Sequence, residues 1–412
     1  MNTINYDKLG EKLITFTHES GLEVYYVPKK TGRTYCCLTT KYGSIDNHFV
    51  VDGVEHKVPD GIAHFLEHKM FEQPDGTDAF SAFAQTGANA NAYTTWTNTS
   101  YLFSCSDYFE ENLAILTDFV YSPHFTKENV AKEQGIIGQE IKMYEDNPGW
   151  CVFFNLLETM YHKNPIKIDI AGTVESISQI TPEILYTCYN TFYNPSNMFL
   201  CISGDIDFEK TIEILNNNLP KTKPQKIKRI YPDEPLSIYK KETSEKKPVS
   251  VPLFLMGFKC QNQDMKSDIV ADIATELLFG SSSKFYQDLY NSSIINDTFE
   301  TECSNEKIAS FVNLGGAQNN PEEAYNEIIK YINKKYFDFS EFDTIKKMLI
   351  GEYFRTFNDP IQIGKAMSSD LANGHDTFEY LDILQSITKE EVEEMAKQIF
   401  REDNCSLSVV RA

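Results

Sequence analysis

The chain has 412 residues with 41% hydrophobic content, enough to bury a large core and long enough for two or more domains. Its 60 acidic against 38 basic residues leave a net charge of -22, which excludes a nucleic-acid footprint and docking on anionic membranes, and would attract cationic peptides weakly through salt. Nine cysteines, odd in number and scattered without a C-x-x-C pair, read as reduced core thiols of a cytoplasmic protein.

The first residues, MNTINYDKLGEKLI, lack a basic segment followed by an apolar run, and no later stretch approaches the roughly 18 apolar residues of a membrane span. Neither secretion nor a membrane partner is expected. Residues 21 to 28 and 34 to 42 are rich in β-branched and aromatic side chains and predict an early hairpin around Lys30 to Arg33. A polar loop over 43 to 59 follows. The stretch GIAHFLEHKMF, residues 61 to 71, reads as a helix N-capped by Asp60 and ended by the turn residues Pro74-Asp75-Gly76. Asp78 to Thr86 predicts a second short helix closed by Gly87. Residues 88 to 105 read as a strand: either a plain member of a sheet, or one open along a side to an extended peptide.

Helices are predicted over 108 to 121 and 126 to 146, the second capped by Thr126 and stopped by Asn147-Pro148-Gly149. Residues 151 to 195 are mostly helical, Asn197 to Ser203 is a short buried strand, and a helix covers about 207 to 218. Prolines 224, 232, 235 and 248 and the basic run from Lys221 to Arg229 mark a linker. The expected organisation is therefore a first domain over 1–222, a linker over 223–248 and a second domain over 249–412. Val249 to Phe258 then reads as a strand and Ser267 to Phe279 as a helix, and Asn358-Asp359-Pro360 ends a segment much as Asp146-Asn147-Pro148 ends the long helix of the first half. Aligning those prolines sets Glu140 opposite Glu352, and sliding Phe71 onto Phe279 sets His64, Glu67 and His68 opposite Asp272, Thr275 and Glu276. The halves read as duplicates, with metal chemistry in the first alone.

That chemistry lies in His64, Glu67 and His68. On a helix these positions share one face, and two neutral imidazoles beside a carboxylate suit a catalytic zinc site. With eight histidines in 412 positions, a chance His-x-x-Glu-His arises in roughly one of a hundred such chains. A third ligand must come from elsewhere, and Glu140 is the candidate, mid-helix with Glu133 two turns earlier on the same face as a carboxylate behind the metal. Solvated-face glutamates are the plainer reading of both on a helix so rich in charge. Glu67 would take the proton from the attacking water and pass it to the leaving amine. His18, His48, His56, His124, His162 and His375 read as structural.

At these residues the sequence resembles the pitrilysin or insulinase family of zinc peptidases, whose inverted motif is His-x-x-Glu-His. The segments HFLEHKMFE, GANANAYT at 87 to 94, KEQGIIGQEIKMYEDNP at 132 to 148 and IDIAGTVESI at 168 to 177 carry the likeness, which covers nearly the whole chain and points to the short two-domain bacterial branch. The resemblance implies an α+β fold of two similar domains, each an antiparallel or mixed sheet with helices packed on it in a roll like that of mitochondrial processing peptidase. It implies one Zn2+ per chain on His64, His68 and Glu140, Glu67 as base, Glu133 as supporting carboxylate, and Asn91 and Ala92 on an edge strand that binds the substrate backbone. It also implies two chains closing around a chamber that admits unfolded peptides. One departure stands out: active members also use an Arg and a Tyr in a pattern like R-E-K-x-G-L-x-Y, and Leu289 to Asp297 places Tyr290 and Asp297 there. The expected assembly is thus a heterodimer with a family member that lacks the zinc motif and carries the Arg and Tyr, a homodimer being possible. The alternative is a non-catalytic structural or assembly subunit.

Overall fold

The computed structural model describes every residue except Pro74, Asp75, Asn262, Gln263, Lys307 and Lys335. The chain opens with strands β1 (Asn2–Tyr6), β2 (Glu11–Thr17), β3 (Glu23–Pro28) and β4 (Thr34–Thr40), then the short pair β5 (His48–Val51) and β6 (Val54–Lys57). Helices α1 (Ile62–Met70) and α2 (Ala79–Thr86) lead to β7 (Asn89–Thr94) and β8 (Thr99–Cys105). Next come α3 (Phe109–Val120), α4 (Lys127–Asp146), α5 (Pro148–Met160), α6 (Val174–Ile177) and α7 (Pro182–Phe192), followed by β9 (Met198–Gly204), α8 (Phe208–Asn218) and β10 (Lys228–Arg229).

The second half runs through β11 (Glu242–Lys246), β12 (Leu253–Cys260), α9 (Met265–Phe279), α10 (Lys284–Asn291), β13 (Glu300–Glu306) and β14 (Ala309–Ala317). It continues with α11 (Pro321–Asn333), α12 (Phe342–Thr356), α13 (Pro360–Asn373), α14 (Tyr380–Ser386) and α15 (Lys389–Ile399), and ends in β15 (Cys405–Arg411). The fold is α+β, and among the described residues no helix is long and apolar enough to cross a membrane.

Strand order shows the duplication most directly. The larger sheet runs β1-β2-β3-β9-β4-β8-β7, and the smaller runs β11-β15-β12-β14-β13. From β3 onward the two match strand for strand, with β3 parallel to β9 as β11 is to β15, and every later neighbour antiparallel. Packing does not follow the two halves of the chain. One compact unit holds Met1–Ile141, Asp169–Ile230 and Tyr353–Phe378; the other holds Lys142–Ile168, Tyr231–Glu352 and Glu379–Ala412. Helix α5 of the first half lies on β12 and β15, while its counterpart α13 lies on β4 and β9.

Several local expectations are corrected. The two early strands form, yet they do not pair as a hairpin, because β9 lies between them. Every residue of β4 and of β9 is buried, so both need interior positions with neighbours on each side. The polar loop over 43 to 59 contains the β5–β6 pair, which β10 from the expected linker extends. Residues 88 to 105 make two strands with a turn between them. Asp60 does not cap α1: its carboxylate accepts from Asn47 Nδ2 at 2.6 Å, and Gly61 takes the cap position at φ 86°. A Cβ on Gly61 would stand 2.3 Å from the Ala171 carbonyl oxygen, so this close turn requires glycine. α1 ends at Met70, and Pro74 and Asp75 of its expected terminator lie outside the described residues. The expected stops after α4 and α12 hold, and they act as starts too: Asn147 accepts from the Gly149 and Trp150 amides to cap α5, and Asp359 accepts from Ile361 to cap α13.

The exchanged helix α13 approaches its sheet through Gly364, where a Cβ would stand 2.0 Å from the Tyr35 ring. Gly351 in α12 has nothing within 4 Å of that position. Alanine gains up to about 1 kcal/mol of helix stability over glycine, whereas overpacking a rigid buried ring costs about 1–3 kcal/mol. Gly351→Ala should raise the midpoint of urea denaturation, and Gly364→Ala should lower it.

Candidate metal centre

Helix α1 is buried along the stripe Ile62, Phe65, Leu66 and Met70, which seats it against β7, β8 and α7. His64 and His68 project from its other side toward α4. In α4, Val130, Glu133, Ile137 and Ile141 form the inward stripe at three- and four-residue spacing. Glu140, seven residues after Glu133, shares that face and reaches the same point two turns on.

The three side chains singled out as ligands come together. His64 Nε2 lies 3.8 Å from Glu140 Oε1, and His68 Nε2 lies 3.5 Å from Glu140 Oε2. The two imidazole rings are 4.6 Å apart. At its other nitrogen, His68 Nδ1 is 3.1 Å from Glu133 Oε1, so Glu133 stands behind it. Glu67, one turn before the end of the same helix, accepts a hydrogen bond from Thr94 Oγ1 at 2.5 Å.

Burial and charge set the protonation states. Burial, helped by the nearby His68 cation, drives His64 down to about 3, so its imidazole is neutral at pH 7 and offers a lone pair. Burial alone would also lower His68, but its bond to Glu133 and the charges of Glu67, Glu140 and Glu133 outweigh burial and raise it. Glu67 is raised by burial, against the lowering effect of the Thr94 bond and the His68 charge. In Glu133, burial is outweighed by the His68 bond and by Lys69, and the carboxyl is held below its usual range.

The donor set fits zinc. Among the described residues, His64, His68 and Glu140 are the group whose ligand atoms all lie within 4.8 Å of one another. Tetrahedral bonds of 2.0–2.1 Å put neighbouring ligand atoms roughly 3.4 Å apart, and 3.5 and 3.8 Å are within a few tenths of that. Two imidazoles and a carboxylate are also the donor types zinc takes in hydrolytic sites.

Asn91 and Ala92 lie on β7, the edge of the larger sheet, and with Glu67 and His68 they line a cavity of about 420 Å3. Its wall includes Phe71 and Phe80, stacked at 4.3 Å. Asn91 spends its side-chain carbonyl on the Ala92 amide, 2.9 Å away. Two residues escaped sequence reasoning. Thr94 carries no motif, and its bond to Glu67 depends on how β7 lies beside α1. Lys69 did leave a signal, a lysine on an otherwise apolar helix stripe, and it is completely buried against Glu72 and Glu133. In the second half, burial and then the Glu352 charge raise Glu276, so the pair opposite His68 and Glu140 is two carboxylates.

Comparison with known proteins bears on this arrangement. A family model described as insulinase, peptidase family M16, matches residues 53–174, and one described as the peptidase M16 inactive domain matches 179–349. The uncharacterized zinc protease YmfH of Bacillus subtilis is 40% identical over 99% of this chain and 98% of its own. The chain belongs to the insulinase family, peptidase family M16. The crystal structure of an M16-like peptidase from Alicyclobacillus acidocaldarius, 34% identical, matches with a TM-score of 0.93 over 98% of this chain and 99% of its own. The periplasmic protease PqqL of Escherichia coli shares the fold at 18% identity and a TM-score of 0.72, with 97% of this chain covering 47% of PqqL. The M16 chain thus has the extent of half of that longer protein. The expected family and fold class are borne out, and the match of the second half to the inactive-domain model agrees with its lack of histidine ligands.

Removing one donor of three should weaken zinc binding by more than the roughly 10- to 100-fold typical of outer-shell changes. His64→Ala and Glu140→Ala should each do so in competition with a chromophoric chelator, with far-ultraviolet circular dichroism unchanged.

Proposed function

We propose that the chain is a zinc-dependent endopeptidase acting on unfolded or precursor peptides, with His64, His68 and Glu140 holding one zinc per chain. The observation that carries this reading is the convergence of both imidazoles on Glu140 beside the buried Glu67. Bound there, zinc would supply Lewis acidity that polarises a peptide carbonyl and acidifies water. Glu67 then takes the proton of the attacking water and returns it to the leaving amine. Thr94 donates to Glu67 Oε2, which pins the carboxylate and leaves Oε1 for the proton. Glu133 orients His68 through Nδ1. The outer edge of β7 pairs at Asn91 and Ala92 with the backbone of an extended peptide, which takes the Ala92 amide from the Asn91 side chain, and the Phe71–Phe80 wall favours an apolar side chain beside the scissile bond.

The site needs a partner in this reading. Tyr290 and Asp297 occupy the places where the Arg and Tyr clamp is expected, so transition-state stabilisation worth a few kcal/mol must come from another chain. A heterodimer with a zinc-free relative, closing over the substrate, supplies it. The likeness to half of PqqL supports such pairing. Nine cysteines without a disulfide support a cytoplasmic setting. The second reading, a non-catalytic assembly subunit, draws on the inactive-domain match over 179–349; the complete donor set in the first half favours the enzyme.

Glu67→Gln should retain zinc and lose roughly 100- to 10,000-fold in peptide cleavage, measured with a fluorogenic peptide and the partner chain present. A wild-type chain that folds without zinc would sink the reading, and full activity of this chain alone would sink the heterodimer. Thr94→Val should move the acid limb of kcat/KM to higher pH. The Thr94 bond lowers a carboxyl that burial raises, so without it Glu67 stays protonated, and inactive as a base, to a higher pH.

A further inference from the structure

Periodicity puts Lys69 on the inward stripe of α1, four residues after Phe65 and three after Leu66, and its side chain is 0% exposed. An ammonium there is stable only when paired, and an apolar side chain of similar volume would fill the space without that demand. Packing therefore gives no reason for a lysine.

Its contacts do. Lys69 Nζ is bonded to Glu72 Oε2 and lies 3.6 Å from Glu133 Oε2, while the other oxygen of Glu133, Oε1, is 3.1 Å from His68 Nδ1. Glu133 is itself buried, so both its oxygens are committed, one to the ammonium and one to the imidazole. A carboxylate torsion is broad and otherwise free to turn. The cation stands on α1 itself, one residue beyond His68, so it moves with the imidazole that it indirectly orients. The line from Lys69 through Glu133 to His68 ends at Nε2, which faces Glu140 at 3.5 Å.

We propose that Lys69 is a positioning residue of the metal centre, an internal counter-ion that fixes the Glu133 carboxylate so that it presents His68 to the metal. The proposal rests on the zinc reading above. It assigns Lys69 no contact with substrate, only the orientation of one ligand.

A double-mutant cycle of the full chain tests it, read as zinc affinity by chelator competition, with the visible spectrum of the cobalt-substituted protein as a second readout. Wild type that binds no zinc would defeat the zinc reading itself, before any variant is compared. With zinc bound by wild type, Lys69→Met should weaken binding roughly 10-fold or more and alter the cobalt spectrum. Glu133→Gln should do the same, and the double variant should bind no more weakly than the weaker single. Unchanged affinity and spectrum in Lys69→Met, or losses that multiply in the double variant, would overturn the proposal. If Lys69→Met fails to fold because Glu133 is left buried and unpaired, the double variant should fold again, which is the same coupling read as stability. A double variant that stays unfolded while Glu133→Gln folds would overturn it as well.

Discussion

One imidazole held by a carboxylate at each nitrogen is the constraint on which the site depends. His68 meets Glu133 through Nδ1 and Glu140 through Nε2, and both carboxylates stand on α4. That requires α4 to pass α1 with Glu133 and Glu140, two turns apart, both reaching the imidazole, and the stripe of Val130, Ile137 and Ile141 buries the apolar surface that holds α4 in place. Four carboxylates, Glu67, Glu72, Glu133 and Glu140, gather around two imidazoles and one ammonium. Like charges so close together repel unless cations are interleaved. Lys69 answers Glu72 and Glu133, and a divalent metal on His64, His68 and Glu140 would answer the rest.

The same scaffold is built twice, and one copy carries the donor set. Both sheets share strand order and direction, yet α9 carries Asp272, Thr275 and Glu276 where α1 carries its donors. The second copy thus lacks the histidine donors of the first. Exchange of α5 and α13 makes each compact unit draw on both halves of the chain. Each helix then covers a sheet distant in sequence, so neither sheet is covered by helices of its own half alone.

Local chemistry was the legible part. The motif around His64 and His68, the Asp78 and Gly87 ends of α2, and the apolar runs that become β4 and β9 can all be read from residue type and spacing, because caps, periodicity and burial preference act within a turn or a strand. The pairing of Glu140 with Glu133 on one helix face was legible for the same reason. Even the duplication left a trace, in the matching Asn-Pro and Asp-Pro turns.

What neighbours what across the chain was decided by the tertiary structure. No periodicity says that β9 enters between β3 and β4, that Asn147 and Asp359 open helices destined for the opposite sheet, or that Thr94 ends beside Glu67 and Lys69 beside Glu133. These depend on which buried surfaces meet, and burial is a sum over the whole fold. The sequence by itself determined the family and the donor types of the candidate metal site, since both reside in side-chain identity at short spacing. The tertiary structure decided which carboxylate faces each nitrogen of His68, because such contacts need the two groups within about 3 to 4 Å, and only the packed helices bring them there.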